Sequence, residues 1–205
     1  PLRVAEQAAT LDLVSNGRVE LGTGRANTPV QLAGFDVDRN ETRAQWDESL
    51  GVIVKAFLQE TITHKGRFWN IPHPVHLTPK PLQYPHPPLY VAATSMETVR
   101  TAGQRGLGAM TMDHFLGWEI VAKHAQIYRE HIRQPSNPAS PLITNSLGFL
   151  VLPAYIGETD KEARAYGGQE ALDFARLLVE LYPSMAAGAR DYAYFADVLQ
   201  YQDHL

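Results

Sequence analysis

Residues 82–110 read LQYPHPPLYVAATSMETVRTAGQRGLGAM, a pattern typical of a strand, a helix and a second strand in succession. The apolar run at 88–93 predicts a buried strand, and residues 96–105 predict a helix. Thr94 and Ser95 form the turn that joins them. Because a helix begins with unpaired backbone N–H groups and the positive end of its dipole, this turn is a candidate site for an anion such as a cofactor phosphate.

The rest of the chain continues the alternation of helices and strands. Apolar periodicity predicts helices from residue 2 to about Gly17, at 41–60, 117–133 and 160–181, with a weakly helical tail at 191–201. Short apolar runs predict strands at 18–24, 107–112 and 147–152. Residues 61–88 interrupt this alternation. The pattern at 61–71 predicts an extended segment outside the main sheet, which we call the excursion, and the proline-rich stretch 73–88 predicts an ordered surface loop.

Regular alternation with mostly apolar strands predicts an α/β fold in which helices cover a parallel sheet. Such a sheet is either open and doubly wound or closed as a (β/α)8 barrel. A complete barrel has eight strands in about 250 residues, whereas this chain of 205 residues supplies about four. The barrel interpretation therefore predicts a partial barrel without the N-terminal strands and the last strand. We treat residues 1–205 as a single, incomplete domain that contains the excursion and the proline-rich loop at 61–88.

Composition excludes several classes of protein. Hydrophobic residues make up 44% of the chain, which is enough for one buried core. The net charge of −4, without a long basic run, argues against nucleic-acid binding. The absence of cysteine excludes disulfides and thiolate metal sites, and it fits a reducing cytoplasm.

Targeting segments are not evident in the sequence. No apolar run approaches the roughly 20 residues of a membrane span, and no signal peptide opens the chain. Pro1 starts inside a predicted helix, so we expect the chain to be a fragment or a processed piece.

Gly24 and Arg25 end the first predicted strand. A guanidinium beside glycines that let a ligand approach closely suits a phosphate. The alternative is a surface arginine that pairs with Glu41 or Asp36. A Rossmann fingerprint is excluded, because Asn27 occupies the position of its third glycine.

Ser95 and Thr98 bring hydroxyl groups to the first turn of the helix at 96–105. Capping of the helix is a sufficient structural explanation for Ser95. The hydroxyl of Thr98, three residues later, can contribute to an anion site together with the backbone amides of the first turn. Glu97 argues against an anion here unless its side chain points away. Thr94 completes this cluster of candidate cofactor-binding residues.

Asp113 and His114 end the next strand and form the acid–imidazole pair at that edge of the sheet. They are candidates for a general acid or base, with capping of the following helix as the alternative. The remaining histidines show no metal-ligand spacing, so we expect no metal site.

Four ordered segments resemble the bacterial luciferase-like flavin-dependent monooxygenases. They read RVAEQAATLDLVSNGRVELGTGR (3–25), GFDVDRNETRAQWDESLGVIVKAF (34–57), GRFWNIP (66–72) and PKPLQYPHPPLYVAATSMETVRTAGQRGLGAMT (79–111). The resemblance implies a (β/α)8 barrel of which this chain supplies the third through the seventh helix. It implies that Arg25 contacts the flavin phosphate and that Ser95 and Thr98 belong to the phosphate pocket.

Two positions depart from the luciferases themselves. Thr94 stands where the luciferase α subunit has an acidic residue, and Gly24 stands where it has a reactive cysteine. These differences argue against light emission and favour the broader monooxygenase group. The catalytic histidine of the luciferases comes from a strand that this chain does not contain. The catalytic residues are therefore unknown, and we expect the isolated chain to be inactive.

The resemblance implies an enzyme that uses reduced FMN and dioxygen to oxidise a small organic substrate. It also implies a homodimer and a separate flavin reductase. One alternative is a deazaflavin-dependent oxidoreductase that transfers hydride. Another is a non-catalytic flavin-binding protein. The identity of the substrate does not follow from the sequence.

Overall fold

The computed structural model describes residues 1–26, 29–112, 118–150 and 154–186. The helices of these segments are α1 (Leu2–Val14), α2 (Pro29–Gly34), α3 (Thr42–Leu58), α4 (Met96–Gln104), α5 (Trp118–Ile132) and α6 (Asp160–Ala186). The strands are β1 (Leu21–Thr23), β2 (Ile62–Lys65), β3 (Asn70–Val75), β4 (Leu89–Ala92), β5 (Gly108–Met112) and β6 (Leu147–Leu150). The predicted end of the 147–152 strand and the tail at 191–201 lie outside the described residues.

Four strands form one parallel sheet in the order β1-β4-β5-β6. Thr23 pairs with Val91, Val91 with Ala109, and Ala109 with Leu147. Each parallel step requires a crossover, and α3, α4 and α5 provide these crossovers. The predicted parallel α/β sheet is confirmed.

Helices cover one face of this sheet, which distinguishes the two predicted architectures. Val91 and Ala109 point into a core that α1, α3, α4 and α5 share. The alternate residues Ala92, Met110 and Leu150 are exposed on the opposite face. A doubly wound sheet carries helices on both faces, whereas a barrel carries them only outside. The sheet therefore has the architecture of an arc of a (β/α)8 barrel.

The excursion is a separate antiparallel hairpin formed by β2 and β3. The prediction that residues 73–88 form only a loop is wrong at its beginning, because β3 continues to Val75 through Pro72 and Pro74. A two-stranded hairpin accommodates proline, since each strand has one edge that makes no ladder hydrogen bonds. The remaining residues, 76–88, connect the hairpin to β4 without a helix or strand.

Helix boundaries follow from local chemistry. Asn16 has a positive φ of 58°, and Gly17 has one of 74°, so α1 ends in the left-handed conformation that these residue types tolerate. A short 3-10 turn precedes α3, and Asp38 caps this turn by accepting the N–H of Asn40 at 2.9 Å. Asp38 therefore caps the 3-10 turn, whereas Glu41, at the start of α3, makes no side-chain cap hydrogen bond. The short helix α2 lies in a segment, between the strand at 18–24 and the helix at 41–60, for which the sequence predicted no helix or strand. No helix in the described part of the chain is both long and apolar enough to cross a bilayer.

Candidate functional site

The carboxyl ends of β1 and β4 are adjacent, because Thr23 and Val91 are partners in the ladder. Gly24 and Arg25 directly follow β1. After β4 ends at Ala92, the chain continues through Ala93 to Thr94 and Ser95. A Cβ placed on Gly24 would lie 3.8 Å from the Cβ of Ala92, an ordinary contact distance. The two predicted halves of the anion site thus belong to neighbouring strands at the same edge of the sheet.

Arg25 is half-buried and reaches the first turn of α3. Its Nη1 lies 3.4 Å from Oγ1 of Thr42, a long hydrogen bond. Thr42 is itself buried and donates its hydroxyl to the carbonyl oxygen of Arg39 at 2.9 Å. The guanidinium is therefore attached to the start of α3, close to the end of β1.

Ser95 caps α4, as the sequence predicted. Its Oγ accepts the N–H of Thr98 at 3.2 Å, and the two hydroxyl oxygens lie 3.0 Å apart. Thr98 is buried. Ser95 thus caps the helix and also forms a hydroxyl pair with Thr98. Capping by Ser95 is compatible with both a structural role and a ligand-binding role.

Glu97 points towards α3 instead of the turn. Its carboxylate lies 3.5 Å from Nη2 of Arg43, and its side chain is 64% exposed. The ion pair removes the objection that this carboxylate would repel an anion at the start of α4. Arg43 was not identified from the sequence. It follows Thr42 in the first turn of α3, and only the tertiary structure brings that turn beside α4.

A cleft of about 650 Å³ opens beside Arg25, between β1, α2, α3 and the hairpin. Most of its surface is apolar, and three aromatic side chains contribute to it. Its lining consists of residues 22–26, Pro1, Val4, Gln31, Leu32, Phe35, Val37, Thr42, Gln45, Trp46, Ser49, Leu50, Ile53 and Trp69. We call it the aromatic cleft. No sequence pattern indicated this cleft.

Hydrogen bonds fix both indoles of the aromatic cleft. Trp46 Nε1 donates to Oγ1 of Thr23 at 3.0 Å, and this hydroxyl donates to the carbonyl oxygen of Tyr90 at 2.9 Å. Trp69 Nε1 donates to Oγ of Ser49 at 2.8 Å. Each indole therefore has its only donor satisfied within the protein.

Glu48 fixes the loop of the hairpin that carries Trp69. Its carboxylate accepts the backbone N–H groups of Trp69 at 2.8 Å, Phe68 at 3.1 Å and Arg67 at 3.0 Å. His64 Nε2 lies 3.1 Å from the same carboxylate. Burial raises the pKa of Glu48, but the hydrogen bonds from the hairpin outweigh it, and the pKa lies below its ordinary value of 4.5. The carboxylate is thus ionised and tightly bound.

Other titratable groups of the core are structural. His86 bonds Ser140 Oγ through Nε2 at 2.7 Å, and His124 bonds Thr111 Oγ1 through Nδ1 at 2.7 Å. Burial lowers the pKa of both imidazoles, so they are neutral at pH 7. No group of acidic and imidazole side chains in the described segments could hold a metal ion.

Asp113 and His114 were predicted as a possible acid–base pair. Both lie outside the described residues, so the structure does not test this pair.

Comparison with known proteins identifies relatives over almost the whole chain. A family profile described as luciferase-like monooxygenase matches residues 1–203. The oxygenase component of flavin-dependent trigonelline monooxygenase from Acinetobacter baylyi is 30% identical over 168 residues, which cover 80% of this chain and 44% of that protein. The uncharacterized protein y4vJ of Sinorhizobium fredii is 34% identical over 106 residues, 52% of this chain and 30% of that protein. The chain thus spans less than half the length of either relative.

Solved structures share the fold. Monooxygenase RslO1 from Streptomyces bottropensis superimposes with a TM-score of 0.72 and 26% identity, covering 100% of this chain and 63% of that one. The oxygenating constituent of 3,6-diketocamphane monooxygenase from Pseudomonas putida, in complex with FMN, gives 0.72 and 19%, covering 98% and 56%. An F420-dependent secondary alcohol dehydrogenase gives 0.57 and 15%, covering 100% and 74%. These likenesses confirm the partial-barrel prediction, and the profile match confirms the family resemblance.

Proposed function

The chain belongs to the luciferase-like monooxygenase family, and from this premise we propose that it contributes the cofactor site of a flavin-dependent monooxygenase. The enzyme uses reduced FMN and dioxygen to oxidise a small organic substrate. The observation that carries the proposal is the set of hydrogen-bond donors at the adjacent ends of β1 and β4. These donors are the guanidinium of Arg25, the hydroxyls of Ser95 and Thr98, and the start of α4.

The chemistry of this set suits a phosphomonoester. A phosphate offers only acceptor oxygens and a negative charge, and a guanidinium satisfies both requirements. The start of a nine-residue helix adds backbone N–H groups and a favourable dipole. Glu97 is turned to Arg43, so the carboxylate of Glu97 does not face the phosphate position.

In this proposal each residue has a defined task. Arg25, Ser95 and Thr98 hold the phosphate, while Gly24 and Thr94 line the path of the flavin along the strand ends. When bound, reduced flavin would supply the two electrons that reduce one oxygen atom of dioxygen to water, while the other atom enters the substrate. The protein orients the flavin by its phosphate and excludes water from the reacting ring. Asp113 and His114 stay candidates for proton transfer.

The partners follow from the relative whose name describes an oxygenase component. An oxygenase component requires another protein that supplies reduced flavin, so we include a separate reductase in the proposal. We also propose a homodimer, which the family resemblance implies. A deazaflavin in place of FMN is the second candidate, because the fold is shared with an F420-dependent dehydrogenase.

The test compares FMN with riboflavin, which lacks the phosphate, in calorimetric titrations of the protein and its Arg25→Ala variant. A charge-assisted hydrogen bond contributes about 1.5–3 kcal/mol, so FMN affinity should fall roughly 10- to 100-fold. Riboflavin affinity should change little. Arg3→Ala is the matched control, because Arg3 is 78% exposed and pairs with Glu6 on the surface. An equal loss for both ligands would exclude Arg25 from a phosphate site.

Two hydroxyl variants separate capping from ligand binding. Ser95→Ala should lower stability by about 1 kcal/mol through loss of the cap and should also weaken FMN binding several-fold. Thr98→Val preserves the shape of the side chain and should act mainly on FMN. Riboflavin binding should be retained in both variants. Unchanged FMN affinity in the Thr98 variant would contradict the proposed pocket. Parallel titration with a deazaflavin decides between the two cofactors by their affinities.

A further inference from the structure

We propose that Thr42 is a positioning residue of the phosphate site, because it holds the guanidinium of Arg25 in the orientation that a bound anion requires. This inference rests on the proposed function, since it adds a residue to the same site. Thr42 is the first residue of α3 and lies 17 positions after Arg25 in the sequence. It acts on the cofactor only through Arg25 and does not itself contact the phosphate.

The hydroxyl of Thr42 is oriented by a second hydrogen bond. Its Oγ1 donates to the carbonyl oxygen of Arg39 at 2.9 Å. A hydroxyl has one hydrogen, so this oxygen can only accept from other groups. Arg25 Nη1 donates to it at 3.4 Å, and a guanidinium can only donate. Thr42 is 3% exposed, so bulk water has little access to this oxygen. The contact between Thr42 and Arg25 is therefore complementary in one direction only.

An uncharged acceptor orients the guanidinium without neutralising it. A carboxylate in the place of the Thr42 hydroxyl would also hold Arg25, but it would compensate the positive charge that attracts a phosphate. Arginine has many rotamers, and ordering such a side chain on binding weakens affinity. A contact that holds Nη1 before the ligand arrives reduces this loss. Thr42 thus favours phosphate binding through preorganisation.

The start of α3 also contacts the other half of the site. Arg43, the residue after Thr42, has its Nη2 3.5 Å from the carboxylate of Glu97. Glu97 lies in the first turn of α4, which carries the hydroxyl groups of the proposed pocket. Two consecutive residues of α3 therefore contact the two halves, Thr42 at Arg25 and Arg43 at Glu97. A guanidinium attached to Thr42 is thus held in a defined position relative to the start of α4.

The test is calorimetric titration of Thr42→Val with FMN and with riboflavin. Valine keeps the shape of the side chain but has no acceptor, so FMN binding should weaken about 2- to 10-fold, the range of one hydrogen bond. Riboflavin binding should be retained, because riboflavin has no phosphate. Thr42→Ser keeps the hydroxyl and should retain FMN affinity. Unchanged FMN affinity in Thr42→Val, equal losses for the two ligands, or an equal loss in Thr42→Ser would overturn the proposal.

The matched control is Thr144→Val. Thr144 is also a buried threonine, 7% exposed, and its Oγ1 accepts the N–H of Leu89 at 3.2 Å. Leu89 is the first residue of β4, whereas Arg25 follows the end of the parallel strand β1, so this bond lies at the opposite edge of the sheet. Thr144→Val should lower stability and leave the ratio of FMN to riboflavin affinity unchanged. A change in that ratio as large as the one in Thr42→Val would refute the positioning role.

The double variant Arg25→Ala/Thr42→Val tests whether Thr42 acts through Arg25. Substitutions at two residues that work through one interaction have non-additive effects. The double variant should therefore lose no more FMN affinity than Arg25→Ala alone. Additive losses would show that Thr42 acts independently of the guanidinium, and the inference would be wrong.

A measurement without ligand separates this inference from the proposed function. The ¹⁵N NMR order parameter of the Arg25 Nε–H group reports the motion of this side chain, and its signal is identified by its loss in Arg25→Ala. The order parameter should be lower in Thr42→Val and unchanged in Thr144→Val. An unchanged value in Thr42→Val would overturn the positioning role alone. A lowered value, together with equal losses of FMN and riboflavin affinity in Arg25→Ala, would support the attachment of Arg25 to Thr42 while refuting the phosphate site.

Discussion

Replacement of Glu48 by glutamine should destabilise the protein more than its position beside a surface hairpin suggests. The carboxylate of Glu48 accepts three backbone N–H groups of residues 67–69 and a bond from His64. Glutamine retains one acceptor oxygen and places an NH2 group where the other oxygen lay. The NH2 group would face the backbone N–H groups of the hairpin, and two hydrogen-bond donors cannot bond each other. The negative charge that strengthened the remaining hydrogen bonds is also lost.

The magnitude follows from the contacts that are lost. With its oxygen in the position of Oε1, glutamine keeps the bond from Trp69 N–H at 2.8 Å and a longer one from Phe68 N–H at 3.3 Å. It loses the two bonds of Oε2 at 3.0 and 3.1 Å. Each bond to a charged group contributes about 1.5–3 kcal/mol. The N–H of Arg67 is exposed and can bond water, which reduces the loss. We therefore expect a decrease of about 2–3 kcal/mol in the free energy of unfolding, or roughly 4–12 °C in Tm.

Urea unfolding followed by circular dichroism measures this decrease. The matched control is Glu41→Gln, which removes an acceptor from the same hairpin loop, because Arg67 Nη2 lies 2.9 Å from Glu41. Arg67 is 66% exposed, and a surface pair of this kind contributes about 0–1 kcal/mol. If Glu48→Gln costs no more than Glu41→Gln, the hairpin does not depend on the carboxylate and the reasoning is refuted.

The same carboxylate gives a pH dependence with a definite sign. The pKa of folded Glu48 lies below its ordinary value of 4.5, because hydrogen bonds from the hairpin outweigh the effect of burial. Its contribution to stability is therefore fully present above about pH 4.5 and is lost as the pH falls through the folded pKa. The difference in stability between the protein and Glu48→Gln should narrow in acid. A difference that stays constant down to pH 3 would contradict an ionised Glu48 in the folded state.

Two further predictions concern buried groups of the core. Tyr128→Phe should lower the free energy of unfolding by about 1–3 kcal/mol in urea titrations. The reason is that the Tyr128 hydroxyl lies 3.0 and 2.9 Å from two carbonyl oxygens and accepts a backbone N–H at 3.1 Å. A decrease below about 0.5 kcal/mol would contradict a stabilising role of this hydroxyl. Burial lowers the pKa of His86 and His124 from 6.5, so the unfolded chain takes up protons that the folded chain does not, and stability should decrease as the pH falls below about 6.5. His124→Gln should reduce this slope, measured as the urea midpoint between pH 5 and 8, whereas an unchanged slope would show that His124 titrates normally in the folded protein.

Local sequence patterns were sufficient to predict the order and type of the main elements. The apolar runs at β4 and β5 and the period of α3 and α4 depend on residues within a few positions of one another. The Ser95 cap of α4 is likewise local, because its partner Thr98 is three residues away. The family resemblance was also readable from the sequence, since it depends on ordered motifs. The C-terminal end of α1 followed from Asn16 and Gly17 for the same reason.

Tertiary packing decided features that no local pattern encodes. The apolar periodicity of α1 predicted an apolar buried face, and Ala5, Ala8 and Ala9 are buried as expected. Leu11 belongs to the same period but is 57% exposed, whereas the charged Asp12 is fully buried. Asp12 is stabilised inside because Gln83, 71 residues away, donates to both of its carboxylate oxygens at 2.8 Å. Burial of a charged group is favourable only when such partners are present, and partners distant in sequence leave no periodic signal.

The candidate site divides in the same way. Arg25, Ser95 and Thr98 could be chosen from the sequence, because strand ends and helix starts are local features and parallel strands bring them to one edge. The aromatic cleft could not, because Trp46 and Trp69 come from α3 and the hairpin and meet only through the contacts of Glu48 and Ser49. The sequence alone determined the order and type of the main helices and of the parallel strands, and which chemical groups end them. The tertiary structure alone decided which groups face one another, because hydrogen bonds and packing across long stretches of chain depend on distances that exist only after folding.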